Sequence, residues 1–225
     1  MLQDLLNIVF PSNCITCKKT LFKGEKYICT SCHFNIPKGD RALTANSDSG
    51  QLLYEKKSFK GSTHLYYFDK DGKTQKILHQ LKYKTNQDFG IFLGELMGAD
   101  FKKALPKIDF LVPVPLHPKK LYKRGFNQSE LLARGMNKLL KINISTTVLI
   151  RTRFTETQTK KGKKERIKNM KDAFEITDKK TFKNKTILLI DDVITTGSTL
   201  KECVRELDKI EGISIYVLLL AVASH

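Results

Sequence analysis

The run Leu188-Leu189-Ile190-Asp191-Asp192-Val193-Ile194-Thr195-Thr196-Gly197-Ser198-Thr199 carries the strongest signal in the chain. It begins in a continuous apolar stretch, Thr186 to Ile190, of the kind required of a strand buried on both faces of a parallel sheet. An acidic pair follows, then a turn with four hydroxyl residues around one glycine, then a helix expected over 199–210. Ligands of open α/β sheets bind at the carboxyl ends of the strands, so such a strand delivers its turn to a binding edge. The backbone N–H groups of Thr195 to Thr199, at a helix N-terminus, form a cradle for a phosphate. Gly197 allows close backbone approach, and Thr195, Thr196, Ser198 and Thr199 add hydroxyl donors. Asp191 and Asp192, at the other end, are placed to accept hydrogen bonds from vicinal hydroxyls. The loop is therefore polarised, anion at one end and diol at the other, as a ribose 5-phosphate requires. An ordinary helix cap accounts for one hydroxyl, not for four beside an acidic pair. No Gly-x-x-x-x-Gly-Lys-Ser/Thr loop occurs, which excludes a Walker-type nucleotide site.

Around this loop the pattern alternates between strand and helix. Strands are expected at 64–68, 109–114, 146–150, 173–176, 186–190 and 213–222. Helices are expected at 73–83, 91–105, 128–140 and 199–210. Such alternation implies an α/β domain with a mostly parallel sheet. Leu2, Leu5, Leu6, Val9 and Phe10 have helical spacing that ends before Pro11. The expected organisation is an N-terminal helix and cysteine module over 1–37, a linker over 38–61 rich in Gly, Ser, Asp and Lys, and the α/β domain over 62–225.

The chain has 225 residues, enough for one mid-sized domain and a small appendage. Its 40 Lys and Arg against 23 Asp and Glu give a formal charge of +17, which attracts polyanions such as nucleic acid or phosphorylated metabolites. No stretch reaches the ~20 apolar residues of a membrane span. The short run Leu5 to Phe10 follows Asp4 and no basic residue, which argues against a signal peptide. A cytoplasmic location is expected.

Cys14-x-x-Cys17 and Cys29-x-x-Cys32 are two knuckles at zinc-ribbon-like spacing. Four thiolates in tight corners suit a tetrahedral Zn²⁺, and four protein ligands make the site closed and structural rather than catalytic. A segment with so few apolar residues needs a metal to fold. His33 is surplus to the set and expected at the surface; the solitary Cys203 is expected in the core.

A second basic loop follows the strand at 109–114. Pro113, Pro115 and Pro118 impose a stiff, extended path. Then come Lys119, Lys120, Lys123 and Arg124, and a helix begins near Gln128. Lys123 and Arg124 are candidates for gripping a pyrophosphate. A third basic segment, 151–171, holds nine Lys or Arg and two Glu, and is expected to be a mobile lid or simply a solvated loop. Arg153 is its candidate site residue, with Thr155, Gln158, Arg166 and Asn169 further along.

The run from Leu188 closely resembles the signature of type I phosphoribosyltransferases. Taken with the cysteine tetrad, Val112-Pro113-Val114-Pro115-Leu116-His117, Arg124-Gly125-Phe126-Asn127-Gln128 and a third stretch read either as Arg151-to-Gln158 or as Arg153-x-Thr155-x-x-Gln158, the chain resembles the ComF family along nearly its whole length. Lys160 to Lys164 departs from a more apolar stretch usual there. The resemblance implies a type I phosphoribosyltransferase-like fold that binds phosphoribosyl pyrophosphate with Mg²⁺. Asp191 and Asp192 would hold the ribose hydroxyls, and Thr195, Thr196, Gly197, Ser198 and Thr199 the 5-phosphate. It implies assistance to single-stranded DNA uptake in natural transformation, with a DNA-import helicase or channel proteins as partners. A strand would track the basic segments, with Tyr122, Phe126 and Phe154 available for stacking. Two alternatives stand beside this: a catalytically active transferase passing ribose 5-phosphate to a base or amine, and a metabolite-sensing regulator without turnover. No nucleophilic protein residue is needed for transfer, so the motif speaks to binding rather than to turnover.

Overall fold

The computed structural model describes residues 12–53, 56–83, 87–154 and 172–223. The helix expected over 1–10 lies outside the described residues, as do Thr155, Gln158, Arg166 and Asn169 of the third basic segment. Two short helices come first, α1 (Thr30–Asn35) and α2 (Asp48–Gln51). Strand β1 (Phe59–Phe68) leads to helices α3 (Lys73–Tyr83) and α4 (Gln87–Phe101), then β2 (Phe110–Pro113). Next come α5 (Pro118–Arg124), α6 (Gln128–Leu140), β3 (Asn143–Ile144) and β4 (Leu149–Arg151). The described chain closes with β5 (Phe174–Ile176), β6 (Thr186–Ile194), α7 (Ser198–Leu207) and β7 (Ser214–Ala223).

Five strands form one sheet in the order β1-β7-β6-β2-β3, every neighbouring pair parallel. β4 and β5 pair antiparallel beside it. β6 is the middle strand, and its apolar run explains why. Ile187, Leu188, Leu189 and Ile190 are all fully buried. Alternate residues enter different cores, as the two-residue period of a strand requires. Leu188 and Ile190 pack with residues of α3, α4 and α6, among them Leu81, Phe89, Leu93 and Leu132. Ile187 and Leu189 pack with Leu200, Cys203 and Val204 of α7. Helices thus cover both faces of a parallel sheet, the α/β architecture expected from the alternation, and Cys203 is buried as expected.

Several boundaries differ from the sequence reading. β1 starts at Phe59, not at 64, because Gly61, Ser62 and Thr63 carry no apolar signal yet are buried beneath residues 40–50. Ser62 Oγ bonds with Ser49 Oγ at 2.7 Å, Thr63 Oγ1 donates to the Asp40 carbonyl, and Thr44 bridges to Ser62. Polar pairing, invisible to periodicity, replaces apolar contact there. α4 starts four residues before the expected 91, with Asp88 in its first turn. The proline-rich path was expected to be extended up to Gln128, but α5 lies within it. Pro118 occupies the first turn, where its missing N–H costs nothing, His117 caps it by accepting from the Lys119 amide at 3.1 Å, and Gly125 ends it at φ 82°. β4 is confined to 149–151, and β6 runs past Ile190 through the acidic pair.

The cysteine module packs onto this frame. Cys14, Ile28, Cys29, Cys32 and Ile36 join the same buried cluster as Leu65, Tyr66, Ile77 and Phe89. Tyr27 meets the rings of Phe89 and Phe92 at 5.3 and 5.4 Å, and Lys76 Nζ donates to the Thr16 carbonyl at 3.0 Å.

α4 and α6 touch through backbone. A Cβ on Gly94 would stand 2.1 Å from the Leu132 carbonyl oxygen, and one on Gly135 would stand 2.0 Å from that of Ile91. Neither neighbour is a movable side chain. Gly135→Ala and Gly94→Ala are each expected to destabilise the chain by about 2 kcal/mol, the scale of overpacking, read as a lowered urea midpoint with unchanged slope.

Candidate functional site

β6 carries Asp191 and Asp192 to the carboxyl edge of the sheet, and the turn after it feeds α7. Gly197 is the N-cap of α7 at φ 73°, a left-handed conformation that a side chain resists. Gly197 has no side chain with which to cap this helix, and no cap bond is present among the described residues, so the first N–H groups stay directed at the turn. Thr196 Oγ1 and Ser198 Oγ lie 3.1 Å apart. A concavity of about 50 Å³ is lined by Asp191 and residues 193–200, so Thr195, Thr196, Gly197, Ser198 and Thr199 all face one small polar space.

The two carboxylates are held differently. Asp191 Oδ1 accepts from Ser129 Oγ at 2.9 Å and from the Asp192 amide at 2.9 Å. Asp192 pairs with Lys82 Nζ, from the last turn of α3, at 3.2 Å. Burial and repulsion from Asp192 push Asp191 up to about 7, against the opposing pull of Ser129 and Lys82. Ser129 is fixed in turn. Its amide donates to Asn127 Oδ1 at 3.1 Å, and Asn127 Nδ2 donates to the Val114 carbonyl, just past β2, at 3.0 Å.

Basic groups gather opposite. Burial, then repulsion from Arg151 and Arg124, brings Lys120 down to about 8. Arg151, buried at the end of β4, lies over the Phe174 ring at 5.3 Å and is attracted by Asp191. Arg124 Nη1 donates to Gln128 Oε1 at 2.5 Å. Of the three residues singled out for a pyrophosphate or lid role, Arg124 belongs to this cluster, while Lys123 and Arg153 lie on the exposed side. Nothing in the sequence singles out Lys82 or Ser129 as site residues, whereas Lys120 belongs to the basic loop expected to suit a pyrophosphate and Arg151 to one of the two readings of the third stretch. The Lys82 contact has no local signal. Nor has the Ser129 contact, which joins residues 62 positions apart. Among the aromatic residues, Phe126 is buried, whereas Tyr122 is 93% and Phe154 40% exposed. Phe154 meets His117 at 5.1 Å, with Lys119 Nζ 5.5 Å above its ring.

The four module thiols lie within 4.8 Å of one another, a set suited to a metal ion. The Cys29 amide donates to Cys14 Sγ at 3.3 Å and the Cys32 amide to Cys29 Sγ at 3.4 Å, which aims both sulfurs inward. Burial raises the Cys14 thiol, but hydrogen bonds from Thr16 and from neighbouring amides outweigh it and bring it to about 6. Burial pushes Cys29 up to about 12. Four thiols gathered so closely, two of them fixed by backbone amides, form a donor set that fits a metal. His33, expected at the surface, is half-buried and bonds through Nδ1 to Tyr66 Oη at 2.9 Å.

A family model described as the phosphoribosyl transferase domain matches residues 123–223. Competence protein F of Haemophilus influenzae is 38% identical over 101 residues, 44% of each chain. Competence protein ComFC of Bacillus subtilis is 27% identical over 210 residues, 92% of this chain and 83% of that one. The chain is thus similar to competence proteins of the ComF family and carries a match to the phosphoribosyl transferase domain. The DNA utilization protein YhgH of Escherichia coli K12 is a further relative, 32% identical over 131 residues, 56% of this chain and 57% of that one. The chain spans about half the length of the Haemophilus and Escherichia relatives it matches. Among solved structures, a glutamine phosphoribosylpyrophosphate amidotransferase from B. subtilis superposes with a TM-score of 0.43 at 17% identity, covering 63% of this chain and 30% of that one. No helix among the described residues is long and apolar enough to cross a membrane.

The tetrad generates a direct expectation. Elemental analysis of the purified protein should find about one tightly held transition-metal ion per chain. Cys14→Ser should lose it and lower the thermal midpoint by ~10 °C or more, because the module shares the core of the sheet.

Proposed function

We propose that this ComF-family chain binds phosphoribosyl pyrophosphate with Mg²⁺ at the end of β6 and assists single-stranded DNA uptake from the cytoplasmic side. One observation carries the reading. An acidic pair and a glycine-capped helix N-terminus stand at one sheet edge, and buried Arg151, attracted by Asp191, groups there with half-buried Lys120 and Arg124. In this reading residues 195–199 hold the 5-phosphate and Asp191 and Asp192 take the ribose hydroxyls. Lys120, Arg124 and Arg151 hold the pyrophosphate, with Lys123 and Arg153 at its rim. Mg²⁺ bound with the ligand supplies charge neutralisation between the phosphoryl oxygens. The module ion is Zn²⁺, held by Cys14, Cys17, Cys29 and Cys32 with no open position, and its role is structural. The proposed division is the module over 1–37, a connecting segment over 38–61, whose last three residues already belong to β1, and the transferase-type domain over 62–225.

The part played in DNA uptake is supported by the relatives named for competence and DNA utilization and by the charge of +17. Exposed Tyr122 and Phe154 beside Lys119 and Lys123 offer stacking faces among cations. An import helicase or channel protein is the expected partner class. A second reading, transfer of ribose 5-phosphate to a base or amine, is favoured by the Lys120, Arg124 and Arg151 cluster. Cations so placed stabilise the charge of a departing pyrophosphate.

The proposal has a pH signature. Ligand hydroxyls need an ionised Asp191 and the pyrophosphate needs a charged Lys120. Affinity for phosphoribosyl pyrophosphate should fall below about 7, as Asp191 takes up a proton, and above about 8, as Lys120 loses one. Titration across pH should give a bell; a flat profile contradicts the assignment. Fluorescence anisotropy with a short single strand should show binding that weakens steeply with salt. It should weaken further in Tyr122→Ala, and salt-independent binding or none argues against the part played in DNA uptake.

A further inference from the structure

We infer that Ser129, a residue of α6 rather than of the phosphate loop, is a positioning residue for Asp191 and sets how strongly the site prefers a sugar bearing vicinal hydroxyls. The inference rests on the reading of this edge as a ribose 5-phosphate site. The rotation of an aspartate carboxylate about χ2 is intrinsically broad and roughly two-fold. Here it is pinned, since Ser129 Oγ and the Asp192 amide both donate to Oδ1, each at 2.9 Å. Oδ2 takes no donor among the described residues and is the oxygen left for a ligand.

Ser129 is itself no free rotor. Its side chain is buried, its amide is bonded to Asn127 Oδ1, and Asn127 Nδ2 is bonded to the Val114 carbonyl. Three hydrogen bonds therefore run from the end of β2 through Asn127 and Ser129 to Asp191. The two acids acquire different characters. Asp192 shares its charge with the Lys82 ammonium. Asp191 accepts from a neutral hydroxyl, which fixes its direction, while Lys82 and Arg151 act on it only as nearby charges. A carboxylate oxygen aimed in this way distinguishes a diol from a sugar lacking one hydroxyl, because a charge-assisted hydrogen bond depends on alignment.

The test compares ribose 5-phosphate with 2-deoxyribose 5-phosphate by calorimetry on wild type, Ser129→Ala and Ser129→Thr. Wild type should prefer ribose 5-phosphate about tenfold, the scale of one hydrogen bond to a charged group. Ser129→Ala should reduce that preference to about twofold or less by weakening ribose alone, since its donor is gone. Ser129→Thr keeps the hydroxyl and should keep the preference, which separates loss of the bond from damage to the helix. If Ser129→Ala retains the wild-type ratio, or weakens both sugars equally, Ser129 is not a positioning residue. If wild type takes neither sugar, or both alike, the ribose reading fails and the inference with it.

Discussion

The site depends on the double ladder that locks β6 between β7 and β2. Eight residues of β6, among them Asp191 and Val193, are in register with β7, and four are in register with β2. A parallel strand paired on both sides cannot slip without breaking two ladders and moving its apolar residues to the wrong faces. The level at which Asp191 and Asp192 leave the sheet is thereby fixed. Everything the loop offers, amides on one side and carboxylates on the other, follows from that level. The four buried residues that precede the acids are thus the foundation of the site, although none of them faces it.

Charge is then distributed by elements that come from elsewhere in the chain. α3 brings Lys82 to Asp192, α6 brings Ser129 to Asp191, and α5 with β4 brings Lys120, Arg124 and Arg151 together. The cysteine module enters the same scheme through α3. Lys76 of that helix bonds to the Thr16 carbonyl in the module, and Lys82, less than two turns on, reaches the acidic pair. One rigid helix thus spans from the thiol cluster to the sheet edge, and Ile77 and Leu81 seat it in the shared core. A metal ion in the tetrad would therefore also steady the helix that supplies the cation of Asp192.

Much of this was legible in the sequence, for physical reasons that also mark the limit. The run before Asp191 reads as a buried parallel strand because both faces must be apolar. α3 and α6 read correctly to the residue because each carries an uninterrupted helical pattern between clear breaks. The parallel α/β class followed from that alternation, and the thiols gathered as their spacing required. α5 was hidden because proline signals stiffness without saying whether it opens a helix or prolongs an extended path. The first half of β1 was hidden because Ser62 and Thr63 are buried through hydroxyl pairing rather than apolar contact. At the site, the hydroxyl-rich turn announced itself because its parts are adjacent. Ser129 and Lys82 did not, because what joins them to Asp191 and Asp192 is tertiary.

In the proposed reading the turn after Asp192 holds a sugar phosphate through backbone amides that the left-handed conformation of Gly197 presents. Isothermal calorimetry of metal-loaded protein with phosphoribosyl pyrophosphate and Mg²⁺, on wild type and Gly197→Val, tests it most directly. The account predicts a saturable heat in wild type and its loss in the variant, with the fold intact by circular dichroism. Absence of heat in wild type, or equal affinity in the two proteins, would contradict it.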